Sequence, residues 1–138
     1  MPTTGAAPDQ EDPVMTLVTN SNQHATQTLC FAAPLLPGTT EMDREEMLSC
    51  WHGERSAGHT ASRRRHRITR ESVWIQSTPA GDVAVVLIES PDLPSALLGI
   101  ATSDEPFDAW FREHLLAVHG MDLTAGMSLP ESVLEFGG

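Results

Sequence analysis

The sequence predicts an α+β fold built on an antiparallel sheet, and three observations lead there. Two β-prone runs, "ESVWIQS" and "VAVVLIE", flank the turn-forming residues Pro79, Ala80, Gly81 and Asp82, which reads as a hairpin. Two longer stretches, near residues 40–65 and 105–119, carry apolar residues at helical spacing instead. A further β-tolerant run, "TQTLCFAAPLL", precedes the first of these helices.

Taken in order, the chain opens on "MPTTGAAPDQEDPVMTLVTNSNQHATQ", which has neither the basic region nor the apolar core of a secretory leader. Its polar, acidic, proline-containing composition predicts disorder over residues 1–25, with Met15 as an alternative start. Residues 26–138 are then one domain by length. The first strand spans Thr26 to Leu36 and stops at Pro37-Gly38. Thr39 or Thr40 caps the next helix, whose first turn holds Glu41 and Asp43. That helix is expected to run unbroken through Met47, Leu48 and Trp51 to about Arg65, weakened by Gly53 and Gly58. Its last turns hold "SRRRHR", read as a solvated cationic end that complements the helix dipole.

In the hairpin, Val73 and Ile75 point one way, and Ser72, Trp74 and Gln76 the other. The returning strand, Val83 to Glu89, is apolar on both faces, so both faces of the sheet need cover. Helices supply one layer. Too few elements remain for the other, which predicts a homodimer packed sheet to sheet. "DLPSALLGIATS" reads as a short helix opened by prolines. Ser103 or Asp104 caps the next, "EPFDAWFREHLLAVHG", which Gly120 closes. A last short strand is expected over Ser132 to Phe136.

The resulting order, β-α-β-β-α-β, is the ferredoxin-like plan, an antiparallel sheet with helices on one face. The hairpin "VWIQ…GDVAVVLIE" and the helix "PFDAWFREHLLAVHGMDL" resemble the dimeric α+β-barrel superfamily, and within it an uncharacterised bacterial branch. The resemblance covers about residues 26–136. It implies a dimeric barrel with a cavity between the helices and the sheet. The superfamily includes cofactor-free monooxygenases, haem-degrading enzymes, isomerases and cyclases, and fold analogy does not choose among them.

Composition removes several function classes. The net charge of −11 opposes nucleic acid or an anionic membrane as partner. No run approaches the length of a membrane span, and a cytoplasmic protein is expected. Lysine is absent, which removes Schiff-base chemistry. The arginine-rich, lysine-free bias is what a high-GC bacterial genome produces. Cys30 and Cys50 have neither disulfide nor zinc spacing.

The candidate site is built from histidine, arginine and tryptophan. His114 falls inside the stripe of Phe107, Trp110, Phe111, Leu115 and Val118, while Asp108, Arg112 and Glu113 fall outside it. His119, beside Gly120, reads as a helix-end residue. On the first helix Leu48, His52, Arg55 and His59 form a polar row next to the row of Met47, Trp51 and Gly58. His114, His52 and His59 are the expected catalytic groups, because imidazole transfers protons near neutral pH. Arg55 would hold an anionic oxygen of the ligand. Trp51, Trp74 and Trp110 would be walls, with Trp74 as the floor.

No metal is expected: on an intact helix His52 and His59 are about 10.5 Å apart along the axis, too far for one zinc ion. No cofactor is expected either. Haem-bound relatives of the barrel use a helix histidine and a strand tryptophan, which His114 and Trp74 would imitate, but the first strand lacks the accompanying asparagine. The expected function is a small-molecule-binding, cofactor-independent enzyme of bacterial specialised metabolism, carrying out cyclisation, isomerisation or oxygenation. The alternatives are a non-catalytic dimeric binding module and, third, a haem-binding monooxygenase.

Overall fold

The computed structural model describes residues 25–137. The expected N-terminal disorder and the choice of start codon fall on residues 1–24, outside those described. The elements run β1 (Gln27–Pro34), α1 (Thr40–His52), α2 (Ser56–Arg65), β2 (Arg70–Thr78), β3 (Gly81–Ser90), α3 (Leu93–Thr102) and α4 (Pro106–His119), followed by a 3-10 turn at Leu123–Ala125. They form an α+β fold in which the helices cover a three-stranded antiparallel sheet of order β1-β3-β2.

Alternation along the strands separates two faces. The inner one stacks Leu29, Ile88 and Glu71, then Phe31, Val86 and Val73, then Ala33, Ala84 and Ile75. Leu29 and Ile88 join Ile68, Leu93, Ala96 and Ile100 as the buried core, so α3 is the helix that seals this end of the sheet. The outer face aligns Cys30, Leu87 and Ser72, then Ala32, Val85 and Trp74. No helix among the described residues covers it, and Trp74 is 51% exposed.

Two expectations about elements are corrected. The first helix is broken: α1 stops at His52, and Gly53 turns the chain with its N–H bonded to the Ser49 carbonyl at 3.1 Å. A Cβ at Gly53 would lie 2.7 Å from Ser49 Cα, so the turn accepts only glycine. The row Leu48, His52, Arg55 and His59 therefore does not exist as a helical row. The terminal strand is also missing. Residues 132–136 have no secondary structure, and Val133, Leu134 and Phe136 are 86%, 84% and 90% exposed. A strand needs a neighbouring ladder, and β1 keeps its outer edge unpaired. The observed order is β-α-α-β-β-α-α.

Helix ends follow local chemistry. Thr39 precedes α1 without capping it; its hydroxyl donates to the carbonyls of Leu36 and Val118, tying the start of α1 to the end of α4. Asp92 caps α3 by accepting from the Ser95 N–H at 3.2 Å. Gly120 closes α4 in the left-handed conformation, as expected. No helix among the described residues is long and apolar enough to cross a membrane.

Candidate functional site

Between the inner sheet face and the helices lies a cleft of about 670 Å³, its open mouth included. Its walls are mainly apolar: Phe31 and Val86 from the sheet, Leu97 from α3, Phe111 and Leu115 from α4. Five polar residues also line it, namely Asp43, Arg63, Glu71, His114 and His119.

Asp43 and Glu46 are three residues apart on α1, so they share a face, and His114 of α4 inserts against both. His114 Nδ1 lies 2.5 Å from Glu46 Oε1, and Nε2 lies 2.9 Å from Asp43 Oδ1. A carboxylate only accepts, so both ring nitrogens must donate and the ring is an imidazolium. Burial lowers its pKa, but hydrogen bonds and charge from Asp43 and Glu46 outweigh that and raise it. Asp43 itself is 1% exposed. Its second oxygen, Oδ2, is the buried side-chain polar atom left without a hydrogen-bond partner among the described residues.

Arg63 and Glu71 form the second charged pair. Arg63 Nε and Nη2 donate to the two oxygens of Glu71 at 2.9 and 3.1 Å, and Nη1 donates to Ser62 Oγ at 3.0 Å. The guanidinium lies 4.5 Å from the centroid of Phe111, and its side chain is 6% exposed. His59 Nε2 meets the same Glu71 at 2.7 Å. Burial would raise the Glu71 pKa, but Arg63 and His59 bring it down to about 2.

His119 offers a different chemistry. Its Nδ1 donates to the Pro34 carbonyl at 2.8 Å, which leaves the lone pair of the neutral ring on Nε2. Among the cleft histidines it is the one not committed to a carboxylate.

A third cluster sits apart from the cleft. Asp108 is fully buried, accepting from Ser62 Oγ at 2.5 Å, Arg65 Nη2 at 3.1 Å and His66 Nε2 at 2.8 Å. Burial opposes its ionisation, but His66, Ser103, Ser62 and Arg65 hold its pKa well below the usual carboxylate range. Asp108 was expected on the outer side of α4, which is overturned; "SRRRHR" was expected as a solvated end, which holds for the exposed Arg64, Arg65 and Arg67 but not for the buried Ser62 and Arg63. Arg63 and His66 turn inward, and the exposed Arg65 reaches in with one nitrogen, because α2 packs against α4 and β2, which carry Asp108 and Glu71.

The chain matches no protein-family model, no curated protein and no solved structure.

The residues singled out from sequence are dispersed. His114 is in the cleft. His59 stands behind Glu71, its ring 5.8 Å from that of Phe107. Trp110 is half-buried, its ring 5.5 Å from His114 and covered on one face by the Arg55 guanidinium at 4.2 Å. Arg55 also bonds Ser49 Oγ at 3.0 Å and approaches Glu54 at 3.5 Å, so it faces the α1–α2 turn. His52 is exposed beside Trp51, which is itself 76% exposed. Trp74 is on the outer sheet face and is not the cleft floor, because side chains alternate and Val73 takes the inner place. Among the described residues no group of three or more His, Cys, Asp or Glu side chains is arranged to hold a metal ion.

Sequence reasoning missed Asp43, Glu46, Arg63, Glu71 and His119 as cleft or cleft-adjacent groups. Two were findable. Asp43, Met47 and Cys50 form one helical row, and Glu71 alternates with the inward Val73 and Ile75. Arg63 and His119 depend on how the helices dock.

Proposed function

We propose that the chain is a small-molecule-binding enzyme that performs cofactor-independent acid–base chemistry in the cleft. The observation that carries this reading is a buried carboxylate oxygen, Asp43 Oδ2, left unpartnered among the described residues on a side chain that lines a mainly apolar cleft. A buried polar atom without a partner carries a desolvation penalty of about 1–3 kcal/mol, which a ligand donor would relieve. Perturbed, charged groups converging on an apolar pocket are the usual signature of a small-molecule site.

In this reading Asp43 touches the ligand, and His114, held between Asp43 and Glu46, positions it and stabilises its charge. His119 Nε2 takes or returns a proton. Arg63 and Glu71 fix the opposite wall. The ferredoxin-like barrel enters as part of the same proposal, with the open outer sheet face as the homodimer surface and the ladder of β1 free at its edge.

Deuterium exchange tests it without a known substrate. A panel of small aryl ketones bearing an amine or hydroxyl, able to donate to Asp43 Oδ2, is incubated with the protein in D2O, and label uptake beside the carbonyl is followed by NMR. Uptake is expected with the native chain and is lost in His119→Ala and Asp43→Asn. Equal uptake in all three would defeat the acid–base reading. Ketones that bind in the cleft with no uptake in any chain would leave a non-catalytic binding module.

A further inference from the structure

We infer that the cleft recognises a compact apolar molecule with a protonated amine, and that Asp43 Oδ2 is the atom that receives it. This rests on the reading of the cleft as a ligand site and names the ligand class.

Arg63 directs three of its five N–H donors, one from each nitrogen, to Glu71 and Ser62, and His114 has both nitrogens on carboxylates. Every nitrogen of both cations therefore already has an acceptor. The buried polar valence left open among the described residues is an acceptor, Asp43 Oδ2, and the lone pair of the neutral His119 ring is an acceptor too. A ligand carboxylate there would set two acceptors against each other, whereas an ammonium supplies donors.

Charge does not oppose this choice. Within the lining Arg63 and His114 balance Asp43 and Glu71, with Glu46 just outside it, so no positive excess draws an anion. The chain as a whole is at −11, which favours a cation. Arg55, from which an anionic ligand was expected, lies over Trp110 and away from the cleft lining.

The walls specify the rest of the molecule. Phe31, Val86, Leu97, Phe111 and Leu115 offer an apolar bed, suited to one aromatic or branched aliphatic group. Aromatic faces near a cation add a further attraction.

The experiment is a binding series by NMR shift perturbation on the full chain, using phenethylamine, 2-phenylethanol, 3-phenylpropionate and toluene. Phenethylamine is expected to bind at least tenfold tighter than the alcohol, and the carboxylate to bind no better than toluene. In Asp43→Asn, which keeps the shape but removes the charge, the amine should lose its advantage while toluene binding is unchanged. Should Asp43→Asn fail to fold, Leu115→Trp, which fills the cleft, must abolish amine shifts at His114 and Phe111. If toluene enters but the amine has no advantage, or Asp43→Asn retains it, the amine inference is overturned and the pocket reading survives. If none of the four compounds shifts cleft resonances, both fall.

Discussion

Glu71 sits in the inward register of β2, where burial alone would favour its protonated form. Arg63 and His59 reverse that and bring its pKa from 4.5 down to about 2. A carboxylate with a depressed folded pKa contributes stability that is full above its unfolded value and disappears as pH falls through its folded one. The Glu71 contribution, about 3 kcal/mol, is therefore complete above pH 4.5 and lost toward pH 2. Urea midpoints measured from pH 6 to 2.5 should fall steeply, and more shallowly in Glu71→Gln. His114 has the opposite sign. Its raised pKa gives stability that is complete below the unfolded value of 6.5 and lost as pH rises through the folded one. His114→Gln should thus remove part of the stability decline on the alkaline side, which thermal melts between pH 6 and 9 would register. Strand alternation made Glu71 legible as an inward residue. Its partner was hidden, because three consecutive arginines carry no mark of which one turns in.

Helix ends carry the predictions at the next scale. After α2 the chain reverses through Arg67 at φ 61°, with Ile68 N–H bonded to the Arg63 carbonyl at 2.8 Å and Arg67 N–H to the Arg64 carbonyl at 3.1 Å. Glycine is the ordinary occupant of such a left-handed closing position. Arg67→Gly should stabilise the fold by about 1 kcal/mol, read as a higher urea midpoint with unchanged slope. Within α3 the constraint is reversed. A Cβ on Gly99 would come 2.5 Å from His66 Nδ1, displacing the ring that bonds Asp108. Gly99→Ala should cost about 2 kcal/mol or more, visible as an early thermal transition. The hairpin and α4 were legible because turn residues and helical spacing are local signals. The α1–α2 break was not, since Gly53 reads as a mild weakness until the contact with Ser49 is known. The expected last strand failed for the complementary reason: its β-prone residues say nothing about whether an edge is there to pair with.

At the scale of the molecule, the described residues pack one sheet face and leave the other bare. The apolar pattern of β3 led to the expectation that both faces are covered; the described helices cover the inner one, and the outer one, with Trp74 at its centre, is where the proposed homodimer would close. Light scattering should then give twice the chain mass for the native protein and a single chain for Trp74→Lys. Removing residues 131–138 should leave the thermal midpoint of a single chain unmoved, because Val133, Leu134 and Phe136 are almost wholly exposed. The bare face also supplies its own reporter. Both cysteines are free thiols, but only Cys30 is exposed, while burial holds the Cys50 thiol up at about 11. Cys30 faces outward in the row of Leu87 and Ser72, one row from Trp74. A maleimide will therefore tag one known point on the sheet, and its labelling rate at rising protein concentration will record when that surface becomes occupied.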